Sequence, residues 1–160
     1  MSRWRQIQIG TQLALRAAVG AALSLSIARW IGFDTPIFAL IAAVIVTDRD
    51  PAETRRLAIR RVISTAIGAL CGVALAQFLG SSGWEAGLAI FVSIVASVAV
   101  TKLGDPKLAA YLSALIVINY GNDPVHYALA RFLETVLGIF VAWTISLVPK
   151  LIELEEETGK

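Results

Sequence analysis

Apolar residues in this chain are gathered into six runs separated by short polar or charged segments. Four longer runs cover residues 8–31, 62–79, 84–100 and 125–148, and two shorter runs cover 36–47 and 108–120. At about 1.5 Å of rise per residue, the longer runs approach the roughly 30 Å of a bilayer's hydrocarbon core and the shorter runs do not. The pattern therefore predicts an all-α integral membrane protein with six transmembrane helices, of which spans 2 and 5 are short.

Several Arg, Thr, Gly and Pro residues in or beside the runs of the first half recur seventy positions later in the second half. Each half contains three spans, an odd number, so the second half would cross the membrane in the opposite direction. Such a 3+3 inverted repeat, with halves at about 8–80 and 84–148, is typical of transporters. Chance similarity between two apolar segments is the alternative, and the matched polar residues favour a repeat. The matched pairs are Arg61 and Arg131, Thr65 and Thr135, Gly68 and Gly138, and Pro36 and Pro106.

Composition supports a membrane location for one domain covering residues 1–160. The chain is 57% hydrophobic and 16% charged, with a mean hydropathy of +0.73, whereas soluble domains carry roughly 25% charged residues. The net charge is only +2, and the basic residues flank apolar runs. We therefore expect the lipid bilayer as a partner and no nucleic acid.

The basic residues are distributed unevenly between the two sides that six spans would create. Of the 14 Lys and Arg residues, all except Arg29 and Arg131 fall on the side of the N-terminal leader, the 48–61 segment and the 101–107 turn. Because Lys and Arg concentrate in cytoplasmic loops, we expect a bacterial-type inner membrane with both termini cytoplasmic. Residues 149–160 are predicted to form a polar, acidic, solvated tail.

Three arginines are candidates for an anion pathway. Arg61 lies at the start of span 3, and Arg131 lies near the start of span 6, the matched span that would enter the membrane from the opposite side. Arg29 lies at the end of span 1. Intramembrane arginines tend to mark ion pathways because burying their charge is costly. The alternative for each is interface anchoring, in which the long side chain reaches the headgroups.

Glu134 follows Arg131 by three residues, so both side chains can lie on one helix face. Two roles are open for Glu134: a static ion pair with Arg131, or a carboxylate that couples transport to protons. Gly68 and Gly72 form a small-xxx-small pattern that allows close helix approach. We expect these two glycines and Gly138 to serve helix packing.

No pattern of catalytic or metal-ligating residues is present. His126 is the single histidine, and no second ligand lies close to it in sequence. The chain contains no Gly-rich phosphate loop, CxxC or HExxH motif. We therefore expect neither an enzymatic role nor a metal or other cofactor.

The stretch LRAAVGAALSLSIARWIGFDTPIFALIAAVIV, followed by TRRLAIRRVISTAIGALCG, resembles the fusaric acid resistance and aromatic acid exporter superfamily. It is distantly similar to plant aluminium-activated malate channels. The resemblance covers roughly residues 10–148. It implies six-helix membrane units that export organic anions, usually as dimers or as two joined units. Larger relatives add a cytoplasmic domain and can work with a periplasmic adaptor protein. Only about ten residues follow span 6, so an adaptor is a less expected partner here.

Sequence and resemblance together predict membrane transport of small organic anions, with aromatic carboxylates as a candidate class and a homo-oligomer, preferably a dimer, as the assembly. Two alternatives remain open. A passive anion channel would carry current without uphill transport, and a non-transporting scaffold or subunit of a larger complex would carry no anion.

Overall fold

The structure, a computed structural model, describes residues 3–119 and 123–148, without the side chains of residues 5, 6 and 9. The predicted acidic tail at 149–160 and most of the turn between spans 5 and 6 lie outside this part. The described residues form six α-helices and no strand. These helices are α1 (Arg3–Ile31), α2 (Ile37–Val46), α3 (Pro51–Ala76), α4 (Gly83–Val100), α5 (Pro106–Asn119) and α6 (Pro124–Ser146).

The helices confirm the predicted all-α class and the predicted order of long and short segments. Four of them, α1, α3, α4 and α6, are long and apolar enough to cross a membrane. The other two have 10 and 14 residues. The largest difference is at α3, which begins at Pro51 and so includes much of the charged segment placed before span 3.

Local chemistry explains why α3 and α6 begin where they do. Asp50 precedes α3, and its side chain accepts a hydrogen bond from the Ala52 backbone N–H at 2.9 Å. Asp123 does the same before α6, accepting from the N–H of His126 at 2.9 Å. A proline follows each aspartate, where its missing N–H leaves no helix hydrogen bond unmade. These caps start both helices outside the apolar runs.

The turn from α1 to α2 depends on Gly32. Its φ is +94°, a conformation that side chains with a Cβ rarely adopt. The Phe33 N–H then donates to the Ala28 carbonyl at 3.1 Å. This arrangement closes the end of α1 and directs the chain into the shortest helix.

Helix packing relates the two halves reciprocally. The short helix α2 packs mainly on α6, and the short helix α5 packs mainly on α3 and α4, so each short helix contacts the long third helix of the other half. For α2 that helix belongs to the second half, and for α5 it belongs to the first. The central contact joins α3 to α6. Exchanging α1, α2 and α3 with α4, α5 and α6 reproduces this pattern of neighbours.

Two hydrophobic clusters form the core, one for each of these helix groups. Alanine is the commonest member of both clusters, and its small side chain allows the helix backbones to approach closely. Three members of the first cluster correspond, seventy positions on, to three members of the second: Ala42 and Leu112, Val46 and Ile116, Ala58 and Ala128.

The outer surface is apolar, whereas many polar residues are buried. Trp84 is 91% exposed, and Leu70, Phe78 and Phe91 also face outward. Serines and threonines of α3, α4, α5 and α6 lie inside. This inverts the usual distribution of a soluble domain. The helices thus offer an apolar surface to lipid and place their polar groups in the bundle.

Candidate functional site: two buried arginines

Arg131 lies two turns into α6 and is 3% exposed. Its guanidinium forms an ion pair with Glu134, with N–O distances of 2.9 and 3.0 Å. Nη1 also donates to the Thr35 backbone carbonyl at 3.2 Å, which joins α6 to the α1–α2 connection. Nε has no hydrogen-bond partner, but the charge of Arg131 is neutralised within the protein.

Two aromatic rings enclose the same guanidinium. The Arg131 Cζ lies 4.3 Å from the centroid of the Phe38 ring and 5.0 Å from that of Tyr127. Cations are attracted to aromatic faces at these distances, more strongly when water is excluded. Arg131 is therefore held by a carboxylate, a carbonyl and two rings, an arrangement that fixes α2 against α6.

Arg61 occupies the matched position in α3 but has a different environment. It is 2% exposed, and its Nη2 donates to the Tyr111 hydroxyl at 3.2 Å. The Tyr111 ring centroid is 5.7 Å from Cζ. Nε and Nη1 have no hydrogen-bond partner within the part of the chain that the structure describes. Among the described residues Arg61 has no ion pair, so its charge is buried without a carboxylate.

Helix α3 has no counterpart of Glu134 beside Arg61. Seventy positions before Glu134 stands Ser64, whose hydroxyl donates to the Arg60 carbonyl at 2.8 Å and accepts from the Asp105 N–H at 2.6 Å. This serine ties α3 to the start of α5. It cannot neutralise a guanidinium.

Further hydroxyls lie buried at the α3, α4 and α5 contact. The Ser93 and Ser97 hydroxyls of α4 are fully buried and form no hydrogen bond with any residue described by the structure. A Cβ on Gly104 would lie 3.3 Å from the Ser64 hydroxyl and 3.6 Å from that of Ser97, so both serines flank this glycine. The interior of this part of the bundle is polar.

Arg29, the third predicted pathway residue, is exposed in the last turn of α1. Its side chain makes no hydrogen bond or ion pair with the residues that the structure describes. The structure therefore does not bring Arg29 into the buried arginine sites. Its part in an anion pathway stays a prediction.

Arg16 is a buried arginine that sequence reasoning used only for membrane orientation. Nη1 donates to the Arg49 carbonyl and Nη2 to the Val148 carbonyl, both at 3.0 Å. Positive charge at the carboxyl end of α6 is favourable because the last carbonyls of a helix lack partners. The sequence signal for this role was the position of Arg16, which lies inside α1 and away from the arginines at the two ends of that helix.

The three predicted packing glycines lie at the closest helix contacts. A Cβ on Gly68 would lie 2.5 Å from the Ala109 carbonyl oxygen, and one on Gly72 would lie 2.9 Å from Ile116. A Cβ on Gly138 would overlap the Ala39 carbonyl. Gly68 with Ala109 and Gly138 with Ala39 are matched pairs at the seventy-residue offset. Substituted side chains cannot enter these contacts without separating the helices.

Within residues 3–119 and 123–148, no group of three or more His, Cys, Asp or Glu residues could hold a metal ion.

Long apolar helices, an apolar exterior and buried charges in the bundle define a multi-pass integral membrane protein. The chain belongs to the fusaric acid resistance protein-like family, whose model matches residues 21–145. The predicted resemblance to this family is confirmed, and the distant similarity to aluminium-activated malate channels stays a prediction.

The chain is also similar to the UPF0421 protein YgaE of Bacillus subtilis (strain 168), with 25% identity over 142 residues. The match covers 89% of this chain and 40% of that relative, so this chain spans less than half of the relative's length. No solved structure matches the chain.

Proposed function

We propose that this protein moves small organic anions across a membrane and that Arg61 is the group that binds them. The observation that carries this proposal is the buried Arg61 guanidinium. Among the described residues, two of its nitrogens have no hydrogen-bond partner and no carboxylate lies beside it. A buried unpaired charge costs several kcal/mol. An anion that enters the site would offset this cost.

The shape of the guanidinium favours a carboxylate as the bound group. Arginine presents its N–H donors in a planar fork that matches the two oxygens of a carboxylate. The Tyr111 hydroxyl and ring, next to the guanidinium, add a polar and an aromatic surface. We therefore favour aromatic carboxylates as the first class to test, with export as the direction that the family suggests.

The reciprocal contacts of the two halves support the proposed inverted repeat. In such proteins the paired short segments and the substrate site lie near the bilayer midplane. Arg61 and Arg131 would then lie on opposite sides of that plane. Because Arg131 is paired with Glu134, Arg61 supplies most of the positive potential along the proposed path. The pair favours a static role for Glu134 over proton coupling.

Three further parts of the proposal concern the setting of the protein. The charge distribution supports an inner membrane with both termini cytoplasmic. Six helices, two of them short, enclose little space, which supports a homo-oligomer and first of all a dimer. An adaptor protein is not needed for transport in this proposal, and neither is enzymatic catalysis.

Flux of labelled benzoate into proteoliposomes tests the proposal. We expect saturable flux that Arg61→Gln lowers roughly tenfold to a hundredfold, because a hydrogen bond to a charged group contributes about 1.5–3 kcal/mol. Arg49→Gln is the matched control, since that side chain is exposed and forms no hydrogen bond or ion pair with the described residues. Neutral benzamide should not be carried.

An imposed pH gradient and single-channel recording separate the remaining mechanisms. Uphill flux driven by the gradient indicates a carrier, and unitary currents without uphill transport indicate a passive channel. If folded protein carries none of several organic anions above empty liposomes, the transport proposal is wrong and a scaffold or subunit role replaces it.

A further inference from the structure

A basic groove lies on the outer side of α3, separate from the buried Arg61. Its volume is about 480 Å³, and it runs between the first turns of α3 and the α4–α5 connection. Four cations and three apolar residues line it: Arg55, Arg56, Arg60, Lys102, Ala52, Ile59 and Leu103. Residues 52, 55, 56, 59 and 60 share one face of the helix because of their spacing.

The positive charge of this groove is barely compensated. Arg55, Arg60 and Lys102 form no ion pair with the residues that the structure describes. Arg56 lies 3.4 Å from Glu53 in an exposed pair, which contributes little. The groove also lies beside the first turn of α3, where the helix dipole adds positive potential. This concentration of positive charge fits a phosphate group better than a neutral ligand.

The apolar residues that line the groove indicate which kind of molecule carries that phosphate. Leu103 is 62% exposed and Ile59 is 45% exposed, so both offer apolar surface beside the cations. Inorganic phosphate gains nothing from such surface. A phospholipid gains from both parts, because its headgroup carries the charge and its acyl chains are apolar.

We propose that this groove binds the headgroup of an acidic phospholipid, with the phosphate among Arg55, Arg60 and Lys102 and an acyl chain along Leu103 and Ile59. Basic pockets beside membrane helices recognise acidic lipid headgroups in this way. The site is independent of the proposed anion transport. Arg60 faces the groove, while the next residue, Arg61, is buried inside the bundle.

Native mass spectrometry of the detergent-purified full chain, with phosphatidylglycerol or phosphatidylcholine added, tests the proposal. The wild type should retain phosphatidylglycerol in preference to phosphatidylcholine. Each lost cation near the surface should weaken binding about fivefold, so the triple variant Arg55→Gln, Arg60→Gln, Lys102→Gln should lose on the order of a hundredfold.

The matched control removes three cations outside the groove, as Arg3→Gln, Arg49→Gln and Lys107→Gln. All six substituted residues lie at or near the protein surface, and circular dichroism checks that both triple variants are folded. Retained phosphatidylglycerol binding in the control supports a specific groove. An equal loss in both variants, or no preference over phosphatidylcholine, overturns the proposal.

A competition with inorganic phosphate distinguishes the two sources of the same chemistry. Millimolar phosphate should not displace phosphatidylglycerol, because it lacks the acyl contact with Leu103 and Ile59. The variant Leu103→Asn should weaken lipid retention without changing charge. Displacement by phosphate, together with no effect of Leu103→Asn, would make the groove a free-anion site and refute lipid binding.

Discussion

Gly138 lies so close to the backbone carbonyl of Ala39 that a Cβ on this glycine would overlap it. Gly68 lies similarly close to the backbone of Ala109. Gly68 and Gly138 are seventy positions apart, and so are Ala39 and Ala109. One contact joins α6 to α2 and the other joins α3 to α5. In both halves, the short helix is thus packed against a glycine of a long helix.

Replacing Gly138 or Gly68 with alanine should destabilise the protein by about 1–3 kcal/mol each, the usual effect of overpacking a core. The carbonyls that the new methyl groups meet belong to backbone, which cannot rotate away. Thermal unfolding in detergent measures the loss. Gly87→Ala is the matched control, since a Cβ there would meet nothing within 4 Å. Equal stability of all three variants would contradict the close contact.

Neutralising Glu134 should be costly, because it leaves Arg131 charged and buried. For Glu134→Gln we expect a loss of about 3–5 kcal/mol, the range found when one partner of a buried ion pair is removed. Replacing both partners, as Arg131→Met with Glu134→Leu, should restore most of that stability.

The control for this prediction is Glu53→Gln, which removes one partner of the exposed pair with Arg56 and should change stability by less than about 1 kcal/mol. Equilibrium unfolding in mixed micelles compares the variants. A Glu134→Gln effect no larger than that of the control would show that the buried pair does not stabilise the fold.

A carboxylate placed beside Arg61 should compete with the proposed anion. Ser64→Asp puts one at the position that matches Glu134, so we expect benzoate flux to fall at least as far as in Arg61→Gln. Ser64→Ala is the matched control: it also removes the hydrogen bond from the Asp105 N–H but adds no charge. Equal flux in the Asp and Ala variants would mean that Arg61 does not bind the transported anion.

Removing Arg16 should loosen the carboxyl end of α6 and the α2–α3 connection together. Its guanidinium donates to the Val148 and Arg49 carbonyls, and bonds to a charged group contribute about 1.5–3 kcal/mol. Arg16→Met should therefore lower unfolding stability by roughly that amount and speed limited proteolysis near residue 49. Arg3→Met, at an exposed site, should do neither, and the same behaviour from both variants would count against this role.

Most of the fold could be predicted from the sequence, because long apolar runs bounded by charge have few alternatives in a membrane. The six helices and the short length of α2 and α5 followed from this pattern alone. The ends of α3 did not. Its start at Pro51 depends on the Asp50 cap, which allows a charged segment to be helical.

The candidate site was only partly predictable. Spacing alone brought Arg131 and Glu134 onto one helix face. That Arg61 lacks a carboxylate required knowledge of the helices that pack around it, since acidic residues are plentiful nearby in sequence. The role of Arg16 was hidden for the same reason, because its partners are backbone carbonyls distant along the chain.

The reciprocal packing of the short helices also bears on the order in which the chain can fold. The main partner of α2 is α6, which is synthesised after the other five described helices, whereas the partner α3 of α5 is synthesised before it. During synthesis, α2 therefore stays incompletely packed until α6 has been made. We therefore expect neither half to be an independent folding unit, and we expect a chain divided between α3 and α4 to become stable only when both fragments insert into the same bilayer.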